Sequence, residues 1–142
     1  MTASTAPSAL RQDRQQFEDL DALLARQRAA FRANPMPSAA ERRQWLQALR
    51  ELLRKEQEAI IRAISADFGN RSADETRLAE LMPSLQGIHY ASRRLGKWMK
   101  PSRRSVGLAF QPASAKVVYQ PLGVVGVIVP WNYPLFLAIG PL

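Results

Sequence analysis

The stretch Gln120-Pro-Leu-Gly-Val-Val-Gly-Val-Ile-Val-Pro-Trp-Asn-Tyr-Pro-Leu135 decides the fold. Within it, Val124 to Val129 is β-branched and apolar on both faces, which predicts a central parallel strand covered on both sides. Pro130-Trp-Asn-Tyr133 reads as a turn. Pro134 suits the first position of a following helix, because its missing N–H would be unpaired there anyway. Strand, tight turn and helix in that order place the turn at the carboxyl end of a parallel strand, where open α/β sheets bind ligands. Asn132 sits in that turn. Its amide NH2 donates hydrogen bonds without adding a titrating group, which suits steadying an oxyanion formed when a nucleophile attacks a carbonyl. Spacing alone leaves another role open, since an Asn in a Pro-bounded turn more often bonds its own backbone. Trp131 by itself is likewise more often packing than ligand contact.

Upstream, Phe17, Leu20, Leu24 and Phe31 fall at helical spacing and predict one amphipathic helix from Asp13 to about Arg32. Asn34-Pro-Met-Pro37 breaks it. Ser38-Ala-Ala-Glu41 is a capping box that opens a second helix with the apolar face Trp45, Leu49, Leu52, Leu53, Ile60, Ile61 and Ile64. Asp67-Phe-Gly69 closes it, and Ser72-Ala-Asp-Glu75 opens a third with the face Leu78, Leu81, Leu85, Ile88, Leu95 and Met99. Pro83 threatens a kink in that third helix. Beyond Pro101 the period changes. Val106, Leu108 and Phe110 alternate, Pro112 interrupts, and Lys116-Val-Val-Tyr-Gln120 forms a second short strand, together an extended hairpin or arm.

The sixteen residues from Gln120 to Leu135 closely resemble the segment that opens the nucleotide-binding domain of the aldehyde dehydrogenase superfamily. Ser65-Ala-Asp-Phe-Gly-Asn-Arg-Ser72 and Lys97-Trp-Met-Lys-Pro101 are similar to its class 3 branch, most of all to bacterial coniferyl aldehyde dehydrogenases, and the resemblance covers roughly residues 15 to 142. It implies an α/β fold: N-terminal helices and an extended β arm leading into a Rossmann-like nucleotide-binding domain. It also implies NAD- or NADP-dependent oxidation of an aldehyde, aromatic such as coniferyl aldehyde or long-chain, to a carboxylic acid. On that mechanism Asn132 matches the side-chain half of the oxyanion hole. Val129, Pro130 and Trp131 match the strand end that lines the nicotinamide and ribose side of the cofactor. The family's catalytic cysteine, glutamate base and glycine-rich turn belong to positions past residue 142. The expected organisation is a flexible lead-in at 1–12, a helical segment at 13–100, the arm at 101–120 and the start of the nucleotide-binding domain at 121–142. In the family the arm often serves subunit pairing, which implies a homo-oligomer, a dimer. Pro83 and Gly87 depart from the pattern, in a stretch that is usually continuous helix.

Leu135 to Leu142 is an apolar run with no polar residue or cap, which predicts that the chain stops inside a domain. There is no cysteine, so these 142 residues contain no thiol nucleophile or thiolate metal site, and the redox compartment is left undetermined. Such a chain by itself is expected to be inactive. A non-catalytic remnant, or an interaction module that docks on a full-length partner, is the competing reading. Met1 to Ala9 lacks the charged and apolar regions of a secretory signal, and a cytoplasmic location is the expectation.

The net charge of +8 is local: residues 1–80 hold 13 Lys/Arg against 12 Asp/Glu, and seven Lys/Arg with no acid follow Glu80. Arg93, Arg94, Lys97, Lys100, Arg103 and Arg104 could line one helix face and its exit and bind phosphates. No nucleic-acid motif or aromatic platform accompanies them, and a solvated face is the simpler reading. Pro121 to Leu142 is 22 residues without a charge, long enough to span a bilayer, but four prolines and Asn132 argue against that. Neither a nucleic-acid nor a membrane partner is expected. His89 is a lone histidine near the apolar face of the third helix, expected to be packed and without partners for a metal. Asp74, Glu75 and Glu80 are explained as first-turn acids that favour their own helix dipole.

Overall fold

The computed structural model describes the backbone of residues 8–142 and the side chains of residues 17–142. The lead-in expected at 1–12 falls outside the described residues as far as residue 7, and helix α1 (Ser8–Ala33) already begins at Ser8. The chain forms two compact units. One contains α1 and Pro121–Val125. In it Gly123 has φ +107 and lies against the Phe31 ring, which a Cβ would meet at 3.5 Å. A Cβ at that distance would make ordinary contact, so it is the backbone conformation that favours glycine.

The other unit runs over Pro37–Gln120 and Gly126–Leu142. It opens with α2 (Ala39–Lys55), capped as expected: the Ser38 N–H donates to Glu41 Oε2 at 2.7 Å and the Glu41 N–H to Ser38 Oγ at 3.2 Å. The single helix expected to follow bends at Glu56, where α3 (Gln57–Asp67) begins. Hydrogen bonds from Glu56 N–H to Leu52 O and from Ile60 N–H to Glu56 O, both 2.9 Å, still bridge the bend. No Pro or Gly accounts for it. Gly69, at φ +77, then turns the chain out of α3.

The third helix is continuous in path but not in type. After α4 (Ala73–Thr76), residues Arg77–Leu81 form a π-helical turn, and α5 (Met82–Trp98) carries Pro83 in its first turn. The π turn takes up one extra residue just where Pro83 lacks an N–H to give, so the proline is absorbed without dividing the helix. Leu81 and Ile88 are buried with Leu53, Ile61 and Ile64 to make the core, while Leu78, within the π turn, points outward. The expected faces are wider than the surface available to cover them: Trp45 is 57% exposed, and Leu49, Ile60 and Leu85 are half-buried. Helix α5 packs on α2, and α3 packs on α4. Arg77 ties α3 to α4 by ion pairs to Glu58 at 3.0 Å and Asp74 at 3.2 Å. Those carboxylates, Glu58 first, hold its guanidinium above its ordinary pKa.

The hairpin exists, with different strands. β1 (Ser102–Arg104) pairs antiparallel with β2 (Ala115–Val117), Arg103 opposite Lys116. Leu108–Phe110, expected to be strand, is a 3-10 turn with both end residues exposed. Its alternation finds no partner strand among the described residues. Val124–Val129 lies in no sheet among the described residues, whose only sheet is the β1–β2 pair. His89 is exposed on α5, not packed. Among the described residues no helix is long and apolar enough to cross a membrane, and no three metal-binding side chains cluster.

Candidate active site

Helix α6 (Pro134–Ile139) begins with proline, as expected, and packs on the π turn and on α5. The turn ahead of it is held from below by a buried ion pair that arises far away in sequence. After Gly69 reverses the chain, Arg71 points inward, with its side chain 4% exposed. The π turn aims Glu80 at the same place, with its side chain 0% exposed. Arg71 Nη1 lies 3.2 Å from Glu80 Oε1, and Nη2 lies 3.0 Å from the carboxylate of Glu75.

Both partners of the pair grip the turn. Arg71 Nη1 donates to the Asn132 carbonyl at 2.7 Å. Its guanidinium also lies between two rings, 5.0 Å from the Phe68 centroid and 4.7 Å from that of Tyr133. Glu80 Oε2 accepts the Leu135 N–H at 2.7 Å and the Phe136 N–H at 3.2 Å. Glu80 thus caps α6 rather than serving its own helix, which corrects its reading as a first-turn acid. Taking two charges out of water costs several kcal/mol per ion, and the direct hydrogen bonds to a carbonyl and two amides offset part of that. Arg71 Nε remains buried without a hydrogen-bond partner among the described residues.

The residues singled out from sequence lie on or beside this clamp. Asn132 is exposed, and its carboxamide makes no hydrogen bond among the described residues. It therefore does not bond its own backbone, the role its position in the turn made commonest. Val129 is half-buried and Pro130 exposed. Trp131 is 68% exposed, with its ring 5.5 Å from Phe68 at an interplanar angle of 43°. The Val129–Pro130 segment, a propped indole and an unengaged carboxamide form a surface that can line a planar ring and donate to an oxygen. Phe68 and Arg71 had no assigned site role in sequence, and Glu80 was read only as a first-turn acid. Phe68 and Arg71 stand inside Ser65–Ser72, whose resemblance pointed to the right segment. Glu80 carried no local signal, because its partners are 55 and 56 residues away.

The basic side chains Arg93, Arg94, Lys97, Lys100, Arg103 and Arg104 are exposed on the end of α5 and on β1. Arg94 lies over Tyr90, 5.5 Å from the ring centroid, and Tyr90 packs against Trp98.

The model of the aldehyde dehydrogenase family matches residues 4–142. Over 133 residues the chain is 71% identical to a protein of Pseudomonas aeruginosa named probable coniferyl aldehyde dehydrogenase, covering 94% of this chain and 28% of that protein. A protein of the same name from Caulobacter vibrioides is 42% identical over 123 residues, covering 84% of this chain and 25% of its own length. The rat protein named aldehyde dehydrogenase family 3 member B1 is 39% identical over 126 residues, 89% of this chain and 26% of that protein. The chain thus spans about a quarter of the length of these curated relatives.

Proposed function

Because the chain belongs to the aldehyde dehydrogenase family, we propose that it forms part of an enzyme oxidising an aldehyde to a carboxylic acid. Coniferyl aldehyde or another aromatic aldehyde is the favoured substrate and a long-chain aldehyde the alternative, with NAD or NADP as hydride acceptor and the cytoplasm as location. The names of the Pseudomonas and Caulobacter relatives support the aromatic choice. In this reading residues 101–120 are an arm that pairs subunits of a dimer, and residues 121–142 open a Rossmann-like nucleotide-binding domain in which Val124–Val129 becomes a strand. Exposure of Val125, Val127 and Ile128 supports that assignment, since a doubly apolar strand needs cover on both faces.

One observation carries the chemistry: a carboxamide left free on a turn whose backbone is held by buried charges. As a nucleophile adds to the aldehyde carbon, the carbonyl oxygen gains negative charge, and the Asn132 side-chain N–H donates to it. A donor fixed in advance costs no reorganisation at the moment of reaction, and losing one costs about 2.7–4 kcal/mol of transition-state stabilisation. Val129, Pro130 and Trp131 offer an apolar wall for the nicotinamide and ribose, with the Trp131 ring steadied by Phe68. The nucleophile comes from elsewhere, since these residues include no cysteine, and the 142-residue polypeptide alone is inactive.

A chimera tests this, in which the chain replaces the aligned 133-residue segment of the Pseudomonas aeruginosa relative. The chimera is expected to oxidise coniferyl aldehyde with reduction of NAD or NADP, and Asn132→Ala to lower kcat about 10²–10³-fold. A folded chimera without aldehyde-dependent reduction of either cofactor, or one indifferent to Asn132→Ala, refutes the assignment.

A further inference from the structure

We propose that Arg71 and Glu80 are positioning residues for the reaction, a buried pair that sets the direction of the Asn132 carboxamide; this rests on the oxyanion role of Asn132. Between them they hold residues 132 to 136 at four points: the Asn132 carbonyl, the Tyr133 ring, and the amides of Leu135 and Phe136. The Asn132 carboxamide itself makes no hydrogen bond among the described residues. With its own carbonyl fixed on one side and the first turn of α6 fixed on the other, Asn132 keeps little backbone freedom, so its side chain is confined to the exposed face.

Stability alone does not explain the pair. Well-packed apolar residues of similar volume often match or exceed a buried ion pair. What they cannot do is donate to a carbonyl and accept two amide N–H groups at once. The arrangement thus buries two charges to fix a short turn, and that turn carries the oxyanion donor. Pre-organisation of this kind acts on the transition state, because misplacing a donor by about 1 Å can cost about 10²-fold in rate without loosening substrate binding.

The test uses the chimeric enzyme. Arg71→Lys keeps the charge but loses the planar fork whose Nη1 reaches Asn132 and Glu80 while Nη2 reaches Glu75. Glu80→Gln keeps the shape but removes the charge. Each is expected to lower kcat about 10²-fold with KM for the aldehyde within about threefold of the parent. Combined with Asn132→Ala, neither is expected to lower kcat below that of Asn132→Ala alone, because a donor already removed cannot be misplaced. Amide exchange at Leu135 and Phe136 is expected to quicken in Glu80→Gln while the α2 and α5 amides stay protected.

Losses that multiply with that of Asn132→Ala overturn the proposal and leave a general structural role. Parental kcat in both variants, or unchanged exchange at Leu135 and Phe136, also overturns it. If Asn132→Ala itself leaves kcat unchanged, the oxyanion reading falls, and the positioning role falls with it. Should Arg71→Lys and Glu80→Gln fail to fold, Tyr133→Leu leaves both charges in place and removes one of the two rings about Arg71. It is then expected to lower kcat severalfold, again with no further loss on top of Asn132→Ala, and additive losses overturn the proposal.

Discussion

Glu80, Asp74 and Glu75 are three acids on one helical path, separated by what surrounds them. Asp74 is exposed and pairs with Arg77 on the surface. Glu80 is inaccessible and faces Arg71. Removing one member of a buried pair strands the other charge, which costs about 3–5 kcal/mol, whereas exposed pairs contribute about 0–1 kcal/mol. Glu80→Ala is therefore expected to lower the urea midpoint of the chimeric enzyme far more than Asp74→Ala, and equal midpoints would contradict the burial. Glu75 stands between them: half-exposed, it touches Arg71 from the solvent side and contributes less.

At the scale of elements, the starts and stops of helices follow local rules and yield local predictions. Ser38→Ala breaks a complete capping box and should destabilise the protein by about 0.5–2 kcal/mol. Gly69→Ala meets no atom within 4 Å but places a Cβ on a left-handed backbone, which costs about 1–2 kcal/mol. Both are measured by thermal melting, and a neutral Gly69→Ala would mean that the turn relaxes. In the hairpin, Arg103 directly faces Lys116, and like charges in that position repel. Lys116→Glu should stabilise the pairing by about 0.2–1 kcal/mol, read as slower amide exchange across β1 and β2. Caps, glycine stops and the presence of a hairpin were legible because the residues that make them lie within a few positions of one another. The exact strands were not. Val106, Leu108 and Phe110 have the alternation of a strand, yet Leu108–Phe110 is a 3-10 turn and pairing formed instead between Ser102–Arg104 and Ala115–Val117.

At the scale of the whole molecule, the apolar residues without cover set its behaviour in solution. Ile128 is 100% exposed, and Leu122, Val125 and Val127, a few positions before it in the chain, are exposed as well. An extended β-branched run with open edges templates further pairing. The 142-residue polypeptide is expected to self-associate with rising concentration, and Ile128→Lys to reduce light scattering at equal concentration; unchanged scattering would place the sticky surface elsewhere. By itself, the sequence determined the helical segments, their caps, the turn at Pro130–Pro134 and, by resemblance, the family, because each rests on neighbouring residues or on a contiguous motif. Only the tertiary structure decided that Asn132 leaves its carboxamide free and that Arg71 and Glu80 hold the turn beneath it. Those contacts join residues 55 to 61 positions apart, and a charged side chain in a sequence shows neither its burial nor its partner until the chain has folded back on itself.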